Sequence, residues 1–350
     1  MVKELAFVIP GKLSTPTGGY VYDRRIIDEL RKLGWHVDVV SLGDGFPQPT
    51  AGQREAAAAR LRAIENGRRV IVDGLAYGVL PEAAEELGRT HPVIALVHHP
   101  LALETGISEA DAKRLRQSEQ AALARASHVI VTSAATKRLL AADYGVAAER
   151  ITVVLPGTDA ALSAKRSSDG VVRLLAVGAL VPRKGYDVLL AALATMPGLP
   201  WTLSIAGDRT RDRAYGEQLD ADIARFGFAD RVHTLGAVSD ARVAELYQSA
   251  DVFVLPSHFE GYGMAFAEAL AHGLPVIGTT AGAIPETVPH GAGILVPPDD
   301  ARALAAALRR LIENPSERES MAARARAATN ELPSWTESAK LFAQVLEDAT

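Results

Sequence analysis

Short apolar runs alternate with amphipathic stretches along this chain, the pattern of βαβ units that close a parallel sheet. In the first half, apolar runs at 5–9, 37–41, 70–73, 93–97, 128–131 and 151–154 predict strands. Amphipathic stretches at 22–33, 54–65, 110–124 and 134–144 predict the helices between them. The segment 161–170, ALSAKRSSDG, is small and polar and ends in Gly, so it predicts a linker. Alternation then restarts, with strands expected at 173–177, 203–206, 232–235, 252–255 and 276–278. Helices are expected at 186–194, 214–226, 241–249 and 264–272, and only helical signals follow Asp300, at 301–313, 316–327 and after Pro333. The pattern implies an α/β chain of two doubly wound, Rossmann-like domains, 1–165 and 166–332. Ligands of such sheets bind beyond the carboxyl ends of the strands, which predicts a site in the interdomain cleft.

Composition narrows the chemistry. A length of 350 residues fits about two domains. Aromatics are only 5%, so the core must be built from Ala, Val, Leu and Ile, a palette suited to strands buried on both faces. The absence of cysteine excludes disulfides, thiolate-ligated metals and thiol nucleophiles. The net charge is −5, with no basic tail or long Lys/Arg run, so nucleic acid is not an expected partner. The apolar run at 5–9 ends at Pro10 and is too short for a signal peptide, and the longest run, 174–181, is far short of a transmembrane segment. The expected location is cytoplasmic.

Three motifs could carry chemistry. Directly after the first predicted strand, TPTGGYVYD places Gly18 and Gly19 at the start of a helix, where amides can approach an anion; a plain turn accounts for the pair equally well. The G-x-G-x-x-G spacing and a Walker lysine are both missing. In VGALVPRKGYDVLL (177–190), Arg183 and Lys184 sit between a strand and a helix, where two cations could neutralise a diphosphate, or simply decorate an exposed turn. In PSHFEGYGMAFAEALAHGLPVI (256–277), Glu260 lies in a Gly-rich loop and Glu268 in the helix that follows. Carboxylates suit hydroxyl-rich ligands because each oxygen accepts hydrogen bonds, and amides near Gly263 and Met264 would suit phosphate or sugar oxygens. The plainer reading pairs Glu268 with His272 one turn on and leaves Glu260 as an anion near a helix start. Asp220-Ala221-Asp222 has the letters of a manganese motif, but it falls in a predicted helix, where such side chains diverge.

Taken in order, these segments resemble the retaining nucleotide-sugar glycosyltransferases of glycosyltransferase family 4, relatives of the phosphatidylinositol mannosyltransferases and bacterial glycogen synthases. The likeness runs from Gly18–Gly19 through VTSAATKRLL (131–140), ITVVLPGTD (151–159), Lys184–Gly185 and AGD (206–208). It continues through the Glu260 to Glu268 element, AGAIPE (281–286) and GILVPPDD (293–300). It implies the GT-B fold, two Rossmann-like domains facing a cleft, with a C-terminal helix in 333–350 packing back on the first domain.

By position, the resemblance implies Gly19 as an amide donor to the diphosphate and Arg183 and Lys184 as leaving-group cations. Glu260 would contact the transferred sugar, Glu268 the ribose, and Tyr262, Gly263 and Met264 would offer backbone groups. His98 in ALVHHP would line the sugar side, with His99 adjacent and not separable from it by sequence. The implied reaction moves a hexose from a nucleotide-diphosphate sugar, UDP before GDP, to a hydroxyl of a small-molecule, saccharide or lipid acceptor, with no metal or cofactor. A nucleotide-sugar 2-epimerase on the same scaffold is the alternative. Two departures from the family pattern stand out: Ala179 where relatives carry Arg, and Ala283 where they carry a second Gly.

Overall fold

The computed structural model describes residues 3–104, 106–164 and 169–348. The chain divides into two compact units, Met1–Gly157 with Pro333–Thr350, and Thr158–Leu332. The division falls earlier than the expected boundary between 165 and 166, a boundary that lies outside the described residues, as does part of the expected linker. The physical reason is local: the Leu162 carbonyl accepts from the His272 ring at 2.8 Å and the Ala164 amide donates to the His272 carbonyl at 2.8 Å. The segment after Gly157 is therefore tied to the second unit.

The first unit holds six parallel strands: β1 Glu4–Ile9, β2 His36–Ser41, β3 Arg69–Asp73, β4 Val93–Val97, β5 His128–Val131 and β6 Ile151–Val153. Their order is β2-β1-β3-β4-β5-β6. All five residues of β4 are buried, because helices cover both faces of the sheet. Each such Val, Ile or Leu contributes roughly 1.5–3 kcal/mol of burial free energy. The helix Trp335–Asp348 belongs to this unit: Phe342 stacks on Phe7 at 6.4 Å, and Trp335 meets the edge of Tyr22 at 5.9 Å. Gly157 is a contact requirement, since a Cβ there would lie 2.3 Å from the Trp335 amide nitrogen.

The second unit repeats the architecture with β7 Val172–Val177, β8 Trp201–Ala206, β9 Val232–Gly236, β10 Val252–Val254, β11 Val276–Thr279 and β12 Gly293–Val296, in the order β12-β11-β10-β7-β8-β9. All eleven expected strands are present. β12 was not expected as one, because its residues at the sheet edge, three half-buried and one buried, carry no clear period. Three short helices, Gly74–Tyr77, Pro81–Gly88 and Ile284–Thr287, were also not expected. Strand order reverses between β1 and β3 in one sheet and between β7 and β10 in the other; the loops leaving those four strands emerge at the switch points, and β4 lies next to β3. Among the described residues, no helix is long and apolar enough to cross a membrane.

Candidate active site

In the second unit, polar side chains gather around Glu260. The loop after β7 makes a short turn, Pro182–Lys184, that ends at Gly185 with φ +67°, and the helix Tyr186–Ala194 starts there. This turn presents Lys184, whose Nζ donates to Glu260 Oε1 at 2.7 Å. Arg183 donates to the Phe259 carbonyl at 2.7 Å and stands 3.5 Å from Glu260 Oε2. The Ser257 hydroxyl adds a bond of 2.6 Å to Oε1, and the Ser257 carbonyl accepts from Thr279 at 2.6 Å. Glu260 is only 7% exposed. Burial alone would raise its pKa, but the Lys184 and Arg183 charges outweigh it and hold the carboxyl at about 2. The result is a buried, fully ionised triad at the carboxyl ends of β7 and β10.

The loop carrying Glu260 is held from behind. Gly282 takes φ +57° and lies so close to the Glu260 backbone that a Cβ would sit 2.3 Å from its carbonyl oxygen. Ala283, at φ −90°, donates its amide to the same carbonyl at 2.9 Å. The Ala at 283 is thus accommodated, because the left-handed residue of this turn is Gly282.

Tyr262 is buried; its carbonyl accepts from Thr287 at 2.6 Å, and its hydroxyl has no partner among the described residues. Gly263, at φ +91°, caps the helix Met264–Ala271, so the first amides from Met264 onward point out of the helix start. Glu268, on that helix, accepts from the Tyr247 hydroxyl at 3.0 Å rather than pairing with His272, whose ring stacks on Tyr247 at 5.1 Å. Burial raises the Glu268 pKa to about 7, helped by Asp240 and Asp159 and opposed by the Tyr247 bond.

In the first unit, the helix Gly18–Lys32 begins at Gly18 itself, four residues earlier than the periodicity predicts. Gly19 faces His98: a Cβ on Gly19 would lie 3.1 Å from His98 Cδ2. The need for glycine here is a close approach. His98 follows β4 and reaches two buried carboxylates, with Nε2 3.2 Å from Asp23 Oδ1 and 3.5 Å from Asp73 Oδ2. His99 instead points to Glu104, at 3.5 Å. The structure therefore separates two histidines that sequence could not. Asp23, Asp73, Ser257 and Tyr247 were not anticipated.

Asp23, Asp73 and His98 offer ligand atoms within 4.8 Å of one another, the spacing of a cation site. The 3.2 Å contact is a hydrogen-bond distance, so the group reads as a histidine gripped by carboxylates. Asp220 and Asp222 share the helix Arg213–Arg225 but pair apart, with Arg209 at 2.5 Å and Arg225 at 2.8 Å.

The model described as glycosyl transferases group 1 matches residues 161–328, and that of glycosyltransferase family 4 matches 72–162. The chain is 30% identical over 323 residues to the MMP alpha-(1->4)-mannosyltransferase of Mycolicibacterium hassiacum, across 87% of this chain and 76% of that one. It is 34% identical over 248 residues to the D-inositol 3-phosphate glycosyltransferase of Thermomonospora curvata, across 63% of this chain and 57% of that protein, less than two thirds of its length. The crystal structure of Anabaena HepE in complex with UDP-glucose superposes with a TM-score of 0.80 at 22% identity, covering 98% of this chain and 99% of that one, a likeness of fold.

Proposed function

The chain belongs to glycosyltransferase family 4 and has its GT-B fold, and from that premise we propose that it moves a hexose from a nucleotide-diphosphate sugar to an acceptor hydroxyl with retention at the anomeric carbon. UDP is the proposed carrier ahead of GDP, a choice supported by the UDP-glucose in complex with Anabaena HepE. The observation that carries the reading is the buried Lys184–Glu260–Arg183 triad. Two cations there can take over the charge that grows on a departing diphosphate, while Glu260, kept ionised, accepts from sugar hydroxyls. The amides from Met264 onward add donors at the positive end of a helix dipole. Gly18 and Gly19 open a helix start in the first unit, and Gly19 is proposed as an amide donor to a diphosphate oxygen. Catalysis is then a matter of positioning and preorganised charge. Charge compensation falls to side chains, so transfer is expected to survive EDTA.

The test is incubation with UDP, GDP and ADP sugars and candidate saccharide, small-molecule and lipid acceptors, with product masses and the anomeric configuration read by NMR. Acceptor-dependent product with the donor's anomeric configuration is expected. Free nucleotide and an epimerised sugar from donor alone would replace this reading by the 2-epimerase.

Glu268 is proposed to hold the ribose hydroxyls, and its raised pKa gives a pH signature. A carboxylate accepts two hydroxyls only when ionised, so donor affinity should climb as pH rises through 7. Between pH 6 and 8 the ionised fraction changes about tenfold, and calorimetry with UDP-glucose should show a change of that order. Glu268→Gln should bind more weakly and flatten the profile; a steep profile in that variant would reassign the titration. For folding the sign is opposite: the buried acid form stabilises below pH 4.5, and this contribution fades as pH rises through 7.

A further inference from the structure

We propose that Asp23 and Asp73 are positioning residues that grip the Nε2 edge of His98, so that Nδ1 is the ring nitrogen offered to a ligand oxygen. This deepens the functional reading and rests on it, in that His98 is taken to meet substrate. Asp23 is fully buried and Asp73 is 4% exposed, so a substrate can reach neither carboxylate, whereas the His98 side chain is 20% exposed. The acids can act on a ligand only through the ring.

Ionised carboxylates accept and do not donate, so the nitrogen facing them carries hydrogen in both charge states of the ring. Nδ1 has no hydrogen-bond partner among the described residues, and it is not among their buried unsatisfied atoms. The ring is also fixed sterically. Gly19 leaves room for Cδ2 on one side, and Tyr22 meets the ring edge-on at 5.3 Å and 78°. The Thr132 hydroxyl donates to the His98 carbonyl at 3.3 Å. The contacts come from the helix after β1, from the end of β3 and from the residue after β5, so strand order assembles the clamp.

Charge follows from geometry. Burial alone would lower the His98 pKa, but the two carboxylates outweigh it and raise it to about 10. Asp23 is pushed up by burial, with a smaller push from Asp73, while His98 pulls it down. The ionisable groups packed on the ring are Asp23, Asp73 and Tyr22, and none supplies a competing cation. At neutral pH the ring is an imidazolium whose Nδ1–H donates. It suits a sugar hydroxyl or phosphate oxygen, and it is not a base waiting for the acceptor's proton. The raised His98 pKa also contributes stability that is fully present below pH 6.5 and is lost as pH rises towards 10.

The test uses the full chain labelled with 15N-histidine, with the His98 resonances identified by their loss in His98→Gln. In the wild type, both ring nitrogens should be protonated at pH 7.5. In Asp23→Asn or Asp73→Asn, the titration should move down by at least one pH unit, and the basic limb of the kcat profile should move with it. A wild-type ring that titrates near its ordinary value, or whose neutral form carries hydrogen on Nδ1, would overturn the proposal. Bleaching of the His98 signals by stoichiometric Mn2+ would also overturn it and mark a cation site. The wild-type spectrum needs no substrate and no variant, so a ring geometry that holds while no sugar is transferred would locate the failure in the functional reading.

Discussion

Replacing Lys184 by Ala is expected to lower kcat by roughly 10²–10³-fold, the effect of removing one preorganised charge from a developing anion. The variant should also unfold more easily. Lys184 and Glu260 are 13% and 9% exposed in their side chains, and removing one partner of a buried pair costs about 3–5 kcal/mol because the other charge is stranded. Ser257 and Arg183 remain, but the main opposing charge on Glu260 is gone, so its carboxyl should climb from about 2 towards the ordinary 4.5. In the wild type this group stabilises the fold above pH 4.5 and loses its contribution as pH falls to about 2; in the variant that contribution shrinks.

Activity and stability can be separated with Lys184→Met combined with Glu260→Gln, which removes the stranded carboxylate and leaves Arg183 its bond to the Phe259 carbonyl. Thermal melting of the double variant should return most of the way to wild type while kcat stays low. Steady-state kinetics with UDP-glucose and an identified acceptor decide the point. Turnover in Lys184→Ala within threefold of wild type would remove leaving-group stabilisation from the proposed mechanism.

The strands were legible for a physical reason. A parallel strand covered on both faces must be apolar throughout, so VIVD at 70–73 and VIALV at 93–97 stand out without any partner being known. β12 lies at the sheet edge with one fully buried residue in four, and nothing in GILV distinguishes it from a loop. The Glu260 to Glu268 element was legible because both acids lie within one loop and the helix after it. Asp23 and Asp73 were not. Asp73 reads as the end of a strand and Asp23 as one more polar residue on a helix. They meet at His98 only because β1, β3 and β4 are adjacent in the sheet, a long-range pairing that no local pattern encodes. The same holds for Tyr247 and Glu268, joined across 21 positions. The boundary after Gly157 was hidden likewise, since the hydrogen bonds between the Leu162 and Ala164 backbone and His272 span over a hundred residues.

Gly185 links fold to site, and Gly185→Ala is expected to cost several kcal/mol, with a matching loss of turnover. Two separate penalties apply. Gly185 takes φ +67°, where an L side chain costs roughly 1–2 kcal/mol. A Cβ there would also lie 2.3 Å from the Pro256 carbonyl oxygen, a backbone atom that cannot swing aside. Relief requires the turn carrying Arg183 and Lys184 to separate from the loop carrying Ser257 and Glu260, and a shift of about 1 Å in such groups is enough to cost about 10²-fold in rate. Two other glycines isolate the terms. Gly227 has φ +70° with nothing near its Cβ position, and Gly198 has neither feature. Gly227→Ala should lose only the conformational 1–2 kcal/mol with normal turnover, and Gly198→Ala should match or slightly exceed wild-type stability. Chemical denaturation of the three variants, paired with their kcat values, reads the series directly. If Gly185→Ala were no worse than Gly227→Ala in both measurements, the close packing of the two loops could not be what holds the cations against Glu260.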